Sequence, residues 1–247
     1  MPHEWDAATY DRIADPQARW GQAVIGRLAL DGDETVLDAG CGTGRVTAGV
    51  LDLLPHGRVV ALDGSAAMLG QARERLAGSA GRLSFLHADL RQHLPLATGC
   101  LDAIVSTATF HWIPDHQALF GHLARVVRPG GALVAQCGGA GNIASVYRAL
   151  DQVAPGEAYP KQYATAELTA ERLQRAGFVD VETWLHPEPT PYATREDLER
   201  FLATVVLWPQ LRVRPPEEHG AFVAAVADRL PALELDYVRL NIMARKA

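Results

Sequence analysis

The sequence has few cysteines and no surplus of positive charge. Its three cysteines, Cys41, Cys100 and Cys137, are widely spaced, so they form neither the CxxC pair of a metal site nor a disulfide framework. The formal net charge is -6, whereas binding to nucleic acid or to an anionic membrane needs clustered lysine and arginine. These absences argue against a disulfide-stabilised scaffold, a zinc domain and a nucleic-acid-binding protein.

Long apolar runs are missing as well. None approaches the roughly 20 residues that cross a bilayer, and the N-terminal stretch from Met1 to Asp6 is acidic, without the basic-then-apolar order of a signal peptide. We therefore expect a soluble, cytoplasmic protein with no membrane partner. His116 and His122 lie on one predicted helix without carboxylates at ligand spacing, and we predict no metal site.

Length and the order of apolar segments predict one α/β domain. The chain has 247 residues, 48% of them hydrophobic, which suits one large core better than two small ones. Between residues 35 and 137, short apolar runs alternate with helical periodicity, as in a parallel sheet covered by helices. The predicted strands are Val36–Leu37, Arg58–Asp63, Leu83–Asp89, Leu101–Ser106, Ala132–Gln136, Val179–Leu185 and Leu235–Met243.

Helical periodicity and end signals place helices between these strands. Ser65 is the predicted N-cap of one helix, and another begins near Thr165 and stops at Gly177. The turn Arg128-Pro129-Gly130-Gly131 leads into the fifth strand. Residues predicted on apolar helix faces are Val46, Val50, Leu53 and Leu54; Met68, Leu69, Ala72 and Leu76; Leu119, Phe120, Leu123, Val126 and Val127; and Leu168, Leu173 and Ala176.

A proline-rich segment from His186 to Pro231 separates the last two strands. It carries seven prolines and two amphipathic helices, and we interpret it as a helical lid inserted before the last strand. Its larger apolar residues either shape an acceptor pocket or close the core, with core packing favoured for most: Phe201, Val205, Leu207, Trp208 and Phe222.

The first strand runs into a glycine-rich loop, Asp38-Ala39-Gly40-Cys41-Gly42-Thr43-Gly44. In an open parallel sheet, ligands bind beyond the carboxyl ends of the strands where the strand order reverses, and this loop is predicted at that point. Glycines allow a sharp turn and a close approach to a ligand. Alone the pattern is weak, because such glycines also form turns that bind nothing.

Two carboxylates make the loop more specific. Asp38 precedes it, and Asp63 ends the second strand about twenty residues later, where an acid suits ribose hydroxyls. The nicotinamide fingerprint GxGxxG is not met, because Arg45 occupies the position of its third glycine. A pyrophosphate would gain nothing from Asp38, whereas an ammonium group would gain a charge-assisted hydrogen bond.

The segment Val36 to Gly44 resembles the first motif of class I S-adenosylmethionine-dependent methyltransferases. Later motifs match in order: Asp63, then Ala88-Asp89-Leu90, then Arg128-Pro129-Gly130-Gly131-Ala132-Leu133. The segments Trp5 to Asp11 and Phe110 to His116 are similar to the trans-aconitate methyltransferase branch. The resemblance implies a seven-stranded, mostly parallel Rossmann-like sheet with an antiparallel last strand, a donor-binding core over 33–137, and lid elements over 1–30 and about 186–231 of a single domain.

The resemblance also implies a donor site for S-adenosylmethionine. Asp38 and the backbone of Gly40 would hold the amino acid part, Asp63 the ribose and Asp89 the adenine amino group. Met68 would cover the adenine, and the backbone near Thr107 and Ala108 would complete the amino-group site. Tyr10 and Trp20 would close over the donor or simply cap the sheet edge. The remaining predicted contacts are Cys41, Gly42, Gly64 and Leu90, with Cys41 as a small residue of the turn.

Methyl transfer from a sulfonium needs alignment, a dry pocket and a deprotonated nucleophile. A carboxylate acceptor needs no base. For a phenol or an amine, His111 is the candidate general base, since its unperturbed pKa lies near neutrality, although a polar wall residue is the simpler interpretation. An anionic acceptor needs an arginine, and the candidates are Arg12, Arg19, Arg148 and Arg195, each of which also suits a solvated surface.

Several functions stay open from the sequence. The leading hypothesis is methylation of a small carboxylate resembling trans-aconitate, by a monomer or homodimer. O- or N-methylation of a natural product is the alternative within the same class, since pocket shape decides the acceptor. A non-catalytic protein that binds S-adenosylmethionine needs the same loop and acids, and a nicotinamide oxidoreductase is disfavoured by Arg45.

Overall fold

The computed structural model describes residues 15–79, 81–157 and 162–247, with side chains described from Arg19 onwards. Its centre is a seven-stranded sheet in the order β3-β2-β1-β4-β5-β9-β6. These strands are β1 Thr35–Ala39, β2 Arg58–Asp63, β3 Leu83–His87, β4 Leu101–Thr107, β5 Val127–Gly138, β6 Phe178–Pro187 and β9 Val238–Lys246. Two short strands, β7 Thr190–Pro191 and β8 Glu234–Leu235, pair separately.

Strands β1 to β5 are parallel, and β9 is antiparallel to both β5 and β6. The predicted seven-stranded α/β sheet with an antiparallel last strand is therefore confirmed. Strand order reverses between β1 and β4, because β1 pairs with β2 on one side and with β4 on the other. The carboxyl ends of these strands and the first residues of β9 thus meet along one edge of the sheet.

Helices cover both faces of the sheet. They are α1 Asp15–Ile25, α2 Arg45–Asp52, α3 Ala66–Arg75, α4 His116–Val126, α5 Ala144–Val153, α6 Ala166–Arg175, α7 Arg195–Phe201, α8 Trp208–Leu211 and α9 Pro216–Ala227. Apolar residues of α4 and α6 pack on one face, and those of α1 and α2 on the other. No helix in the described part of the chain is both long and apolar enough to span a bilayer.

The predicted helix ends at Ser65 and Gly177 are confirmed, whereas Val127, predicted on a helix face, is the first residue of β5, and two predicted buried positions are exposed. Ser65 accepts a hydrogen bond from the Met68 N–H, and Gly177 ends α6 with φ of 87°. Leu53 is 40% exposed because α2 already ends at Asp52, and Leu168 is 37% exposed in the first turn of α6. The spacing of apolar residues therefore located the helices better than it located the buried residues of their first and last turns.

The last strand begins later than predicted. The chain leaves the ladder at Asp236, whose carboxylate accepts hydrogen bonds from Ser145 at the start of α5, including one of 3.0 Å from the backbone N–H. Leu235 pairs with Thr190 in the separate two-stranded sheet. The strand β9 then runs on to Lys246, three residues beyond the predicted end.

The segment between β6 and β9 packs its helices onto α5 and onto Trp20 of α1. The shared core contains Phe201, Val205, Leu207 and Phe222, so core packing accounts for these four residues. Trp208 is only partly buried, and its ring lies 6.3 Å from that of Trp112, measured between centroids. A lid role for this segment stays a prediction.

Candidate active site

The glycine loop is fixed across the ends of β1 and β2. The N–H groups of Gly40 and Cys41 both donate to the carbonyl of Leu62, at 2.8 and 2.9 Å. Gly40 has φ of 84°, and a Cβ there would lie 2.2 Å from Thr109 Oγ1. At Gly42, with φ of 54°, a Cβ would meet nothing within 4 Å. The loop backbone is therefore packed behind Gly40 and open at Gly42, where a ligand can approach.

The third loop glycine serves the packing of two helices. A Cβ on Gly44 would lie 2.9 Å from Leu76 and 3.2 Å from Ala72, so α2 starts in close contact with α3. This places the first N–H groups of α2 beside the loop. A side chain at position 44 would collide with α3, so packing alone accounts for this glycine.

Asp38 is a buried carboxylate at the end of β1. It is 1% exposed, and its Oδ2 accepts a hydrogen bond of 2.6 Å from Thr47 Oγ1 on α2. Burial raises the pKa of Asp38 to about 7, the Thr47 hydroxyl lowers it, and the nearby negative charge of Asp63 raises it further. Within the described residues no cationic side chain forms an ion pair with it. The site therefore favours a cation at this point.

Asp63 is held against the loop by backbone hydrogen bonds. Its Oδ2 accepts from the Gly42 N–H at 2.9 Å and its Oδ1 accepts from the Ser65 N–H at 2.8 Å. Burial raises the pKa of this carboxyl, while the backbone donors lower it. A carboxylate offers about four acceptor positions, so Asp63 can still accept a hydrogen bond from a ligand hydroxyl. The predicted proximity of Asp63 to the loop is confirmed.

The end of β3 adds Asp89 and Leu90, and α3 adds Met68. The Ala88 N–H donates to the carbonyl of Asp63 at 3.2 Å, which sets this segment beside β2. Asp89 is paired with Arg91, whose Nε and Nη2 donate to its Oδ2 at 2.9 and 2.6 Å, and this pair lowers the Asp89 pKa. Leu90 and Met68 are buried. A ligand amino group would therefore share Asp89 with Arg91.

Gly64 lies at the same end of β2. Its carbonyl is 3.1 Å from His87 Nε2, and it directly follows Asp63. The residues predicted to contact S-adenosylmethionine in the loop and at the ends of β2 and β3 thus lie along one stretch of the carboxyl edge of the sheet. Their roles toward a ligand stay predictions.

The end of β4 carries a buried polar atom without a partner. Thr107 Oγ1 is buried and has no hydrogen-bond partner among the described residues. The next residue, Ala108, has φ of 57°, a conformation that favours glycine, and its N–H donates to the Gln136 carbonyl at 2.7 Å. Strained backbone and an unpaired hydroxyl together mark this turn as a place for a ligand.

His111 lies in the short helical turn Phe110–Trp112 that follows β4. Its Nδ1 accepts a hydrogen bond of 3.3 Å from the Gly138 N–H, so the neutral ring carries its proton on Nε2. The lone pair that would take up a proton is thus already engaged. This geometry favours His111 as a hydrogen-bond donor and does not favour the general-base role predicted for amine or phenol acceptors.

Of the two aromatic residues predicted to close over the methyl donor, Tyr10 and Trp20, the structure describes only Trp20. Tyr10 lies outside the described residues, as do Arg12 and the segment Trp5 to Asp11. Trp20 is 2% exposed on α1, where its ring covers the guanidinium of Arg239, 3.9 Å from ring centroid to Cζ, and meets the ring of Tyr237 edge-on at 5.0 Å. The structure thus places Trp20 on the β9 side of the site.

The three candidate arginines that the structure describes lie on the surface. Arg148 is exposed on α5, Arg19 is 3.6 Å from Glu188 with 68% of its side chain exposed, and Arg195 pairs with Glu199 and Asp228. Sequence reasoning missed the buried one, Arg239. The available signal was its position as a charged residue among the apolar residues of the last strand.

Neither the Cys41 thiol nor any cluster of metal-ligating side chains in the described residues indicates a different reaction at this site. Burial raises the pKa of the Cys41 thiol, in agreement with a small residue of the turn rather than a nucleophile. In the part of the chain that the structure describes, no group of three His, Cys, Asp or Glu residues could hold a metal ion. The edge therefore offers carboxylates, open backbone and aromatic rings.

Comparisons with known proteins give a consistent result. Residues 36–131 match the model of a family described as a methyltransferase domain. A trans-aconitate 2-methyltransferase from Azoarcus sp. (strain BH72) is 39% identical over 132 residues, which are 53% of this chain and 50% of that protein. The chain thus spans about half the length of that relative.

A longer match reaches a trans-aconitate 2-methyltransferase from Methylobacterium nodulans, 32% identical over 182 residues, or 74% of this chain and 67% of that protein. Among solved structures, a phosphoethanolamine N-methyltransferase 2 from Haemonchus contortus in complex with S-adenosyl-L-methionine gives a TM-score of 0.67 at 19% identity. That match covers 98% of this chain and 57% of the other. It supports the same fold.

Proposed function

This chain belongs to the class I S-adenosylmethionine-dependent methyltransferases, and we propose that it transfers the methyl group of that donor to a small carboxylate acceptor resembling trans-aconitate. The observation that carries the proposal is the pair of carboxylates, buried Asp38 and half-buried Asp63, that flank the open glycine loop. The names of the relatives supply the class of acceptor.

The residues present fit S-adenosylmethionine. Asp38 would hold the ammonium group, which would supply the positive charge that this buried carboxylate lacks. Asp63, already fixed by the Gly42 N–H, would accept hydrogen bonds from the ribose hydroxyls. The buried Thr107 hydroxyl would gain the partner that it lacks among the described residues. Asp89, Met68 and Leu90 would surround the adenine.

When bound, the donor supplies an electrophilic methyl group on a positively charged sulfur. An acceptor carboxylate would bond to this carbon as the carbon–sulfur bond breaks and its electron pair stays on sulfur, so no side chain would have to remove a proton. The protein therefore contributes alignment and exclusion of water rather than acid–base chemistry. His111 agrees with this scheme, because its Nδ1 already accepts a hydrogen bond from the Gly138 N–H and the reaction requires no base.

The cover of the site is part of the proposal. Residues 1–30 and 186–231 would close over the bound ligands, with Trp112 and Trp208 forming an aromatic wall at the end of β4. A single domain acting as a monomer or homodimer on a small molecule in the cytoplasm is the simplest arrangement.

Donor binding and turnover test the proposal separately. Calorimetry with S-adenosylmethionine should give saturable binding to the native chain and to Asp52→Ala, whose acid is exposed on α2, and no measurable binding to Asp63→Ala at equal folded content by circular dichroism. Equal affinity in Asp63→Ala would contradict the site. Labelled donor with trans-aconitate should give a methyl ester; turnover of neutral phenols or amines alone would favour the natural-product alternative.

A further inference from the structure

Arg239 is the most deeply buried cation among the described residues. Its side chain is 2% exposed near the start of β9, and its Nη2 is buried without a hydrogen-bond partner in the described structure. Its Nε makes only a long contact of 3.4 Å with Gln136 Oε1. None of the carboxylates that the structure describes lies within ion-pair distance of it.

This isolation is unusual for a guanidinium group. Buried charges in proteins are normally paired, because removal from water penalises the charged form, and burial lowers the pKa of Arg239 for the same reason. More accessible arginines of the same chain do have acidic partners, such as Arg128 with Asp102 and Arg214 with Glu157. Among the described residues, buried Arg239 thus lacks the anionic partner that Arg128 and Arg214 have.

The surroundings of Arg239 hold the group in place without neutralising it. Trp20 covers its face at 3.9 Å, and the indole Nε1 of Trp20 is itself buried without a partner among the described residues. Behind it, Gln136 Nε2 donates to Asn241 Oδ1 at 2.8 Å, and Arg27 Nη1 donates to the same atom at 2.6 Å. The stacked pair of Arg239 and Trp20 therefore carries two buried N–H donors without partners, one on the charged guanidinium and one on the neutral indole.

The sheet register places this pair at the carboxyl edge. Arg239 lies opposite Gly138 on β5, and the Gly138 N–H donates to His111. Since adjacent strands lie roughly 4.8 Å apart, β9 is about 14 Å from β1 and its glycine loop. That spacing leaves room for the methionine part of a donor and for a small acceptor over β4 and β5.

We infer that Arg239 binds a carboxylate of the methyl acceptor, with the Trp20 indole N–H as a second donor to the same anion. A guanidinium matches a carboxylate in a planar, bidentate geometry. The carboxylate held in this way is not the one that is methylated, because hydrogen bonds to its oxygens weaken it as a nucleophile. The acceptor therefore carries at least two carboxylates. The inference rests on the proposed function and adds a specificity-determining residue.

The test compares Arg239→Gln and Arg239→Lys with Arg148→Gln, which removes an exposed arginine from neighbouring α5. For the tricarboxylate trans-aconitate we expect the KM of Arg239→Gln to rise about 100-fold, that of Arg239→Lys to rise less, and that of Arg148→Gln to stay within twofold. Calorimetry of trans-aconitate against protein saturated with S-adenosylhomocysteine gives the same comparison without turnover. Affinity for the donor should stay within about threefold in all variants.

A dicarboxylate and monocarboxylate pair separates recognition from structure. With fumarate and crotonate as acceptors, the native chain should prefer fumarate, and Arg239→Gln should lose that preference, which a general loss of packing would not produce. Trp20→Phe keeps an aromatic ring but replaces the indole by a smaller phenyl group without the N–H, so it should raise the KM for trans-aconitate severalfold even if Arg239→Gln fails to fold.

The outcomes distinguish the two proposals. If the native chain does not bind the donor or methylates no carboxylate, the proposed function itself fails. If it methylates trans-aconitate while folded Arg239→Gln and Arg239→Lys keep its KM within twofold, Arg239 does not contact the acceptor. An unchanged preference for fumarate over crotonate in those variants would overturn the inference in the same way.

Discussion

The buried carboxylate of Asp38 should make the donor-free protein less stable at pH 8 than at pH 5. Burial raises the pKa of Asp38 from 3.8 to about 7, so folding favours its protonated form. The resulting stabilisation is present below pH 3.8 and is lost progressively as the pH rises to about 7. This pKa shift corresponds to a loss of about 4 kcal/mol from the free energy of unfolding in total, of which about 3 kcal/mol is lost between pH 5 and pH 8.

The variant Asp38→Asn removes the charge and keeps the shape. Its amide oxygen can still accept the hydrogen bond from Thr47 Oγ1. We therefore expect the free energy of unfolding of the donor-free variant at pH 8 to exceed that of the native chain by roughly 2 to 4 kcal/mol, with little difference near pH 4. The same change should weaken donor binding by at least about 30-fold, because the ammonium group loses its counter-charge.

Urea unfolding from pH 4 to pH 8 measures the first effect, and calorimetry with S-adenosylmethionine measures the second. Other groups titrate in this range: burial raises the pKa of Asp63 and lowers that of His116. The difference between native and variant curves isolates Asp38, and Asp52→Asn on the exposed side of α2 provides a charge-matched control that should follow the native curve. Parallel curves for the native chain and Asp38→Asn would refute the reasoning, since they would mean that Asp38 ionises as freely in the folded as in the unfolded chain.

Three further predictions follow from the same site. Donor binding at pH 6 should release close to one proton, because the ammonium group draws Asp38 into its charged form; calorimetry in buffers of different ionisation enthalpy measures this, and zero release would contradict it. Gly40→Ala should lower the free energy of unfolding by at least about 2 kcal/mol, from its φ of 84° and the 2.2 Å approach to Thr109, as urea unfolding would show; a loss below 0.5 kcal/mol would mean that the loop adapts. His111→Gln should retain a pH-independent kcat with trans-aconitate between pH 6 and pH 8, and a new dependence on pH would instead support a base role.

The core and the donor edge could be predicted from the sequence because their signals are local. Strands β1 and β2 are largely buried and mostly apolar, and each carries an acid at or next to its last residue, Asp38 or Asp63. Parallel pairing then brings those ends together. Helix caps such as Ser65 and Thr165 are equally local, since the hydroxyl bonds an N–H three residues later.

The acceptor side could not be predicted because it depends on distant pairings. Arg239 reaches the edge only because β9 inserts between β5 and β6, and its stacking partner Trp20 comes from the other end of the described chain. The four proposed arginines were chosen from helices and loops, where charged residues are common. A single charge inside an apolar strand was the more informative feature, because burying it demands a reason.

Asp38 and Arg239 together suggest how the free site is organised. Each is almost fully buried, each lacks an ion-pair partner among the described residues, and two strands, β4 and β5, separate the strands that carry them. Their charges are opposite, yet the separation of roughly 14 Å leaves them too far apart to compensate each other. A donor with an ammonium group and an acceptor with a spare carboxylate would neutralise one each. The instability of the empty site would then contribute to its selectivity, because ligands with the right charge at the right end would relieve it.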